Sequence, residues 1–129
     1  MFELEQSWNH EWVITDKILK DFLSVSNDYN PMHVDTHYAK SKGFKDKIAH
    51  GNILSCFMSY FIGELLPIKN LLIIGQSIKF ENVIYVNDTI RLDTSISRYS
   101  SSVKFVQFNF RFTRNDTQVA SGEIQIKIL

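Results

Sequence analysis

Cysteine occurs once in the 129 residues, at Cys56, and proline twice, at Pro31 and Pro67. A single thiol cannot close an internal disulfide, which excludes a stapled secreted scaffold and agrees with a reducing, cytoplasmic setting. Cys56 falls in an apolar stretch, where a buried free thiol is the ordinary expectation. With five glycines and no Pro/Gly-rich segment or repeat, nothing reads as a linker, so one domain is expected. Charge of one sign is also missing. Lys plus Arg equals Asp plus Glu at 14 each, so no net field attracts nucleic acid or an anionic membrane. The longest apolar stretch, Ile53 to Leu66, is broken by Ser55, Ser59 and Glu64 and is too short to span a bilayer. The start, Met1-Phe2-Glu3-Leu4-Glu5, has acids where a secretory leader needs bases, so export is not expected. Two Asn-Asp-Thr triplets, at Asn87 and Asn115, therefore read as turns rather than glycosylation acceptors.

What the chain does contain is material for a core: 44% apolar residues and ten Phe, five Tyr and two Trp spread along its length. Thr15-Asp16 followed by Ile18, Leu19, Phe22, Leu23 and Val25 predicts a capped amphipathic helix over about 16–25. Asn27 to Pro31 is dense in turn formers and predicts an ordered loop, and Asp35 fits an N-cap for a helix from Thr36. Gly51 to Leu66 is apolar over most of a helical wheel and ends at Pro67, which predicts a core helix surrounded by other structure. Strand patterns then run over 71–80, 89–100, 103–114 and 117–129, read as an antiparallel meander. With an early strand in the first dozen residues, the parts fit an α+β domain in which a curved antiparallel sheet wraps around a central α-helix. The aromatic strand positions Phe105, Phe108, Phe110 and Phe112 suit either the core or subunit pairing.

The chemistry concentrates in Ser26-Asn27-Asp28-Tyr29-Asn30-Pro31-Met32-His33, followed by His50-Gly51 at the head of the apolar helix. This pattern resembles the signature of the MaoC-like dehydratases, the (R)-specific enoyl-CoA hydratase family. There a Ser-x-Asp-x-Asn-Pro-x-His loop precedes a His-Gly pair. Gly75 to Phe80 and Val86 to Thr89 extend the similarity over most of the chain. The resemblance implies a single hot-dog domain over residues 1–129 that hydrates a trans-2-enoyl thioester, carried on coenzyme A or an acyl carrier protein, to the (R)-3-hydroxy product. It implies no redox cofactor and no metal, and a homodimer or higher assembly.

Adding water to such a double bond needs a base for the water, an acid for C2 and polarisation of the carbonyl. Asp28 and His33 are two proton-exchanging groups on one loop, and the resemblance makes them the pair that binds and activates the water. It makes the Gly51 amide, at a helix start, the group that polarises the carbonyl. Asn30 is expected to fix the loop by Asx-type bonds. With His50, Ser59, Lys42 and Lys45, it completes the set on the substrate side. Among Lys40, Lys42, Lys45 and Lys47 only Asp46 is acidic, and this segment reads either as a solvated loop or as contacts to the carrier's phosphates. His33, Asp35 and His37 alternate as potential metal ligands, but Asp35 is better explained as a cap, so no metal is assigned. Two rivals share the fold: a thioesterase that releases free thiol, and a non-catalytic subunit, against which intact Asp28 and His33 argue.

Overall fold

A computed structural model describes residues 2–129. Their order is β1 (Ser7–Val13), α1 (Asp16–Ser26), α2 (Pro31–Val34), α3 (Thr36–Ser41), α4 (Ile53–Tyr60), a π-helical turn (Phe61–Leu65), β2 (Leu71–Phe80), β3 (Thr89–Ser100), β4 (Phe105–Arg114) and β5 (Thr117–Ile128). The strands form one antiparallel sheet in the order β1-β3-β4-β5-β2. Its inner face wraps the α4 axis, which is the α+β hot-dog arrangement that the sequence predicts.

The meander is shorter than the sequence reading has it. β3, β4 and β5 follow one another, but β2 pairs with β5 at the edge opposite β1. Tight turns explain the difference. Lys104 and Asn115, at φ 55° and 53°, close the β3-β4 and β4-β5 hairpins, whereas residues 81–88 form an open link that lets the chain cross to another strand. Asn87 also has a positive φ, 77°, in keeping with its reading as a turn residue.

Alternation along β4 decides which aromatics face inward. Phe108, Phe110 and Phe112 are buried on the inner face, while Phe105 lies on the other face beneath Arg98. Phe61 meets Phe108 edge to face at 5.4 Å, and Trp12 of β1 stacks flat on Phe57 of α4 at 4.5 Å. These contacts tie helix to sheet with aromatic pairs of about 1 kcal/mol each beyond their burial.

The helix is not enclosed on all sides. Ile53, Leu54, Phe57, Met58, Phe61 and Ile62 are buried along one stripe, and Cys56, Ser59 and Tyr60 are exposed along the opposite one. Cys56 is thus a free but exposed thiol rather than a buried one. Counting cysteine and tyrosine as apolar hid a stripe of small and polar residues at helical spacing.

Candidate active site

The loop after α1 is built by residues that bond to the backbone two positions on. Asn27 ends α1 in the left-handed conformation, with its amide on Leu23 O at 2.9 Å. Then the Asp28 amide donates to Ser26 Oγ (3.1 Å), the Asn30 amide to Asp28 Oδ1 (3.2 Å), and the Met32 amide to Asn30 Oδ1 (3.0 Å). Asn30 therefore caps α2, with Pro31 in the first helical position, and its side chain faces the backbone rather than a substrate. The expected loop thus ends one residue earlier than the sequence reading sets it, because proline at that position starts a helix as readily as it stops one. Asp35 caps α3 as predicted, accepting from the Tyr38 amide at 3.0 Å.

This relay occupies Asp28 Oδ1 and leaves Oδ2 facing His33 Nε2 at 3.7 Å. His33 is held by Ile48, whose carbonyl accepts from Nδ1 at 2.9 Å while its amide donates to Met32 O at 2.9 Å. A carbonyl only accepts, so His33 carries a proton on Nδ1, and Nε2 is the nitrogen open to the site. The 3.7 Å gap is too long for a direct hydrogen bond, and a water about 2.8 Å from each atom would bridge it. Exposure of the side chains falls from 49% at Asp28 to 16% at His33 and 3% at His50.

Behind the pair, His50 donates from Nε2 to the Asp28 carbonyl at 2.9 Å. Its ring stacks on His33 with centroids 3.8 Å apart and meets Phe22 at 4.8 Å. Gly51 follows at the entrance to α4. The first amides to donate in this turn are those of Ile53 and Leu54, to His50 O and Gly51 O, so the Gly51 and Asn52 amides lie ahead of the helical ladder at its positive end. The Phe80 ring lies over Gly51 so closely that a Cβ there would meet it at 3.0 Å.

Asp28, His33, His50 and Gly51 share one cavity of about 390 Å³, walled also by Phe22 and Phe80. Ser59, Lys42 and Lys45 do not line it. Ser59 is exposed on the open stripe of α4, Lys42 lies over the Tyr38 ring at 5.3 Å, and Lys45 over the Tyr85 ring at 4.5 Å, next to the cavity residue Ile84. The sequence reading passed over Phe22, Phe80 and the Ile48 carbonyl. Phe22 reads as helix core, Phe80 as strand, and a backbone acceptor leaves no mark in the sequence. Glu81 also reaches the cavity, but its carboxylate binds Ser121 Oγ and Gln118 Nε2, which hold its pKa below the ordinary glutamate value. It stays ionised and is a poor proton donor at neutral pH.

The donor atoms of Asp28, His33 and His50 lie within 4.8 Å of one another, close enough for a cation to be drawn between them. His50 already uses Nε2, the nitrogen near Asp28 Oδ2, on a carbonyl, which leaves two converging donors, one short of the usual protein set. Among the described residues no helix is long and apolar enough to cross a membrane.

The protein family described as MaoC like domain matches residues 4–115. An (R)-specific enoyl-CoA hydratase of Rhodospirillum rubrum is 32% identical over 107 residues, 83% of this chain and 74% of that protein. A mitochondrial 3-hydroxyacyl-[acyl-carrier-protein] dehydratase of Arabidopsis thaliana is 30% identical over 115 residues, 86% of this chain and 68% of that protein. The solved (R)-hydratase of Aeromonas caviae superposes with a TM-score of 0.91 over 99% of this chain and 98% of that one, at 23% identity.

Proposed function

The chain belongs to the MaoC-like domain family, and from that membership we propose that it hydrates trans-2-enoyl thioesters reversibly to (R)-3-hydroxyacyl thioesters, with Asp28 and His33 handling the water. It is a hydro-lyase, acting in either direction as supply dictates. The observation that carries the reading is the pair of open atoms, Asp28 Oδ2 and His33 Nε2, 3.7 Å apart beside an unengaged helix start.

In the hydration direction a water held by both atoms attacks C3 and gives one proton to the pair. The electrons of the double bond move towards the thioester oxygen, where the Gly51 amide and the helix start stabilise the developing charge. Collapse of that enolate takes the proton from the pair at C2. The water's oxygen and one hydrogen end on C3, the other hydrogen ends on C2, and the pair returns to its starting state. The step needs neither metal nor redox cofactor.

Crotonyl-CoA, followed by loss of enoyl absorbance in the presence of EDTA, tests this directly. Hydration without release of free thiol is expected. Thiol release in place of hydration would make the chain a thioesterase, and no reaction with either coenzyme A or carrier-bound enoyl esters would leave it a non-catalytic subunit.

We propose that the carrier, coenzyme A or acyl carrier protein, binds at the lysine segment. Lys45, beside Tyr85 and the cavity wall, and Lys42 would meet its phosphates. Replacing both with glutamate should raise KM about tenfold and leave kcat unchanged, since charges at a rim act on encounter rather than chemistry. An unchanged KM would return the segment to a solvated loop.

We also assign a cytoplasmic homodimer built through β2. This strand exposes Leu72, Ile73, Ile74 and Phe80 at 40–55%. Gln76 links it to Ser55, next to the open stripe of α4 that carries Ser59. An unpaired apolar edge of this length calls for a partner. Sedimentation of wild type as a dimer and of Ile73→Lys as a monomer is the expected outcome, and a monomeric wild type would remove the assignment.

A further inference from the structure

We infer that His50 is a positioning residue for the Asp28-His33 pair rather than a group that touches substrate, an inference that rests on the hydratase reading above. Three observations converge on it. Its side chain is 3% exposed, so little of it can meet a ligand. Its Nε2 proton is committed to the Asp28 carbonyl at 2.9 Å, which fixes the loop residue whose carboxylate does the chemistry. Its ring stacks on His33 at 3.8 Å and meets Phe22 at a tilt at 4.8 Å, so the ring sets the plane against which His33 rests.

The remaining nitrogen, Nδ1, is buried with no hydrogen-bond partner among the described residues. A proton there would have no acceptor, whereas a bare ring nitrogen leaves only a lone pair unmet. The two stacked rings therefore hold opposite tautomers. His33 carries its proton on Nδ1, towards Ile48 O, and His50 on Nε2, towards Asp28 O. The arrangement links both catalytic residues to one short stretch of chain, because Ile48 holds one and His50 the other. Phe22 of α1 meets the His50 ring at a 42° tilt, which adds a contact from α1 to the stacked pair.

Two substitutions separate the parts of this role. His50→Phe keeps a ring stacked on His33 and removes the donor to Asp28. His50→Gln keeps a donor near the position of Nε2 and removes the ring. With crotonyl-CoA, His50→Phe should lose about thirty-fold or more in kcat with KM within about threefold of wild type, the mark of misaligned chemistry rather than lost binding. His50→Gln should recover most of that loss. Nitrogen NMR of histidine-labelled wild type should report the Nε2-protonated form for His50 and the Nδ1-protonated form for His33.

Wild-type kcat in His50→Phe, a raised KM at unchanged kcat, or an Nδ1-protonated His50 would each overturn the inference. If His50→Phe does not fold, as judged by circular dichroism, His50→Gln decides, and a full loss of kcat in it counts against the role. A wild type that hydrates no enoyl thioester would instead sink the hydratase reading, while the tautomers would still report on the clamp.

Discussion

Asp28→Asn is expected to lower kcat for crotonyl-CoA hydration about a thousandfold, with the melting temperature within about 2 °C of wild type, because acid-base groups typically contribute 10²–10⁴-fold. The separation of effects follows from how the carboxylate is held. Asn30 N binds Oδ1, and an asparagine oxygen accepts that bond equally well, so the loop survives. The change falls on Oδ2, where an amide nitrogen would present hydrogens to His33 Nε2 and to the water instead of a lone pair. Half exposure of the side chain leaves little folding energy at stake. His33→Gln should fall as far, and the double variant barely farther, since the two atoms act on one water and their losses do not add. Should both single variants hydrate at the wild-type rate, the assignment of the pair would be finished.

The second large effect is on stability. In β5, Gly122 lies between Ile78 of β2 and Phe110 of β4. A Cβ there would stand 2.0 Å from Ser77 O, 2.9 Å from Ser77 C and 2.8 Å from Phe110 Cζ. Backbone atoms of a hydrogen-bonded strand cannot swing aside as a side-chain end does. Gly122→Ala must either push β2 off the sheet or drive the Phe110 ring into a packed core. A cost of about 3 kcal/mol is expected, comparable with overpacking a core, and a melting temperature lower by about 10 °C. A melt within about 2 °C of wild type would show that the sheet yields there. The contrast with Gly51 is instructive, because its close neighbour is only the ring of Phe80, which stands on an exposed edge.

Features set by local chemistry were the ones legible in the sequence. Thr15 accepts from Ile18 N, Asp35 caps α3, Asn87 and Asn115 take the left-handed conformation, and the strand runs match within a few residues. In the Asp28, Asn30, Pro31 and His33 pattern the loop was readable because the Asp28 and Asn30 side chains accept from backbone amides two residues on and Pro31 opens the short helix. What escaped reading depends on contacts distant in sequence. The place of β2 is fixed by pairing with β5, His33 by a carbonyl fifteen residues away, and His50 by a carbonyl twenty-two residues away. The position of His50 beside Gly51 is visible in the sequence, while its bond to the Asp28 carbonyl is not. The open stripe of α4 escaped for another reason, since a hydrophobicity count does not separate Cys56 and Tyr60 from true core residues.

The sheet order also has a consequence for the chain as it leaves the ribosome. β2 is made before β3 and β4, yet its partner is β5, which emerges after both. Until β5 is made, Leu71 to Phe80 has neither edge satisfied, and Leu72, Ile73 and Ile74 have no strand to lie against. Non-local pairing of this kind is slow and prone to wrong encounters. A nascent chain stalled before Thr117 would therefore hold a catalytic loop and a helix but no sheet able to shelter that strand, and it is at this stage that a holding chaperone has most to protect.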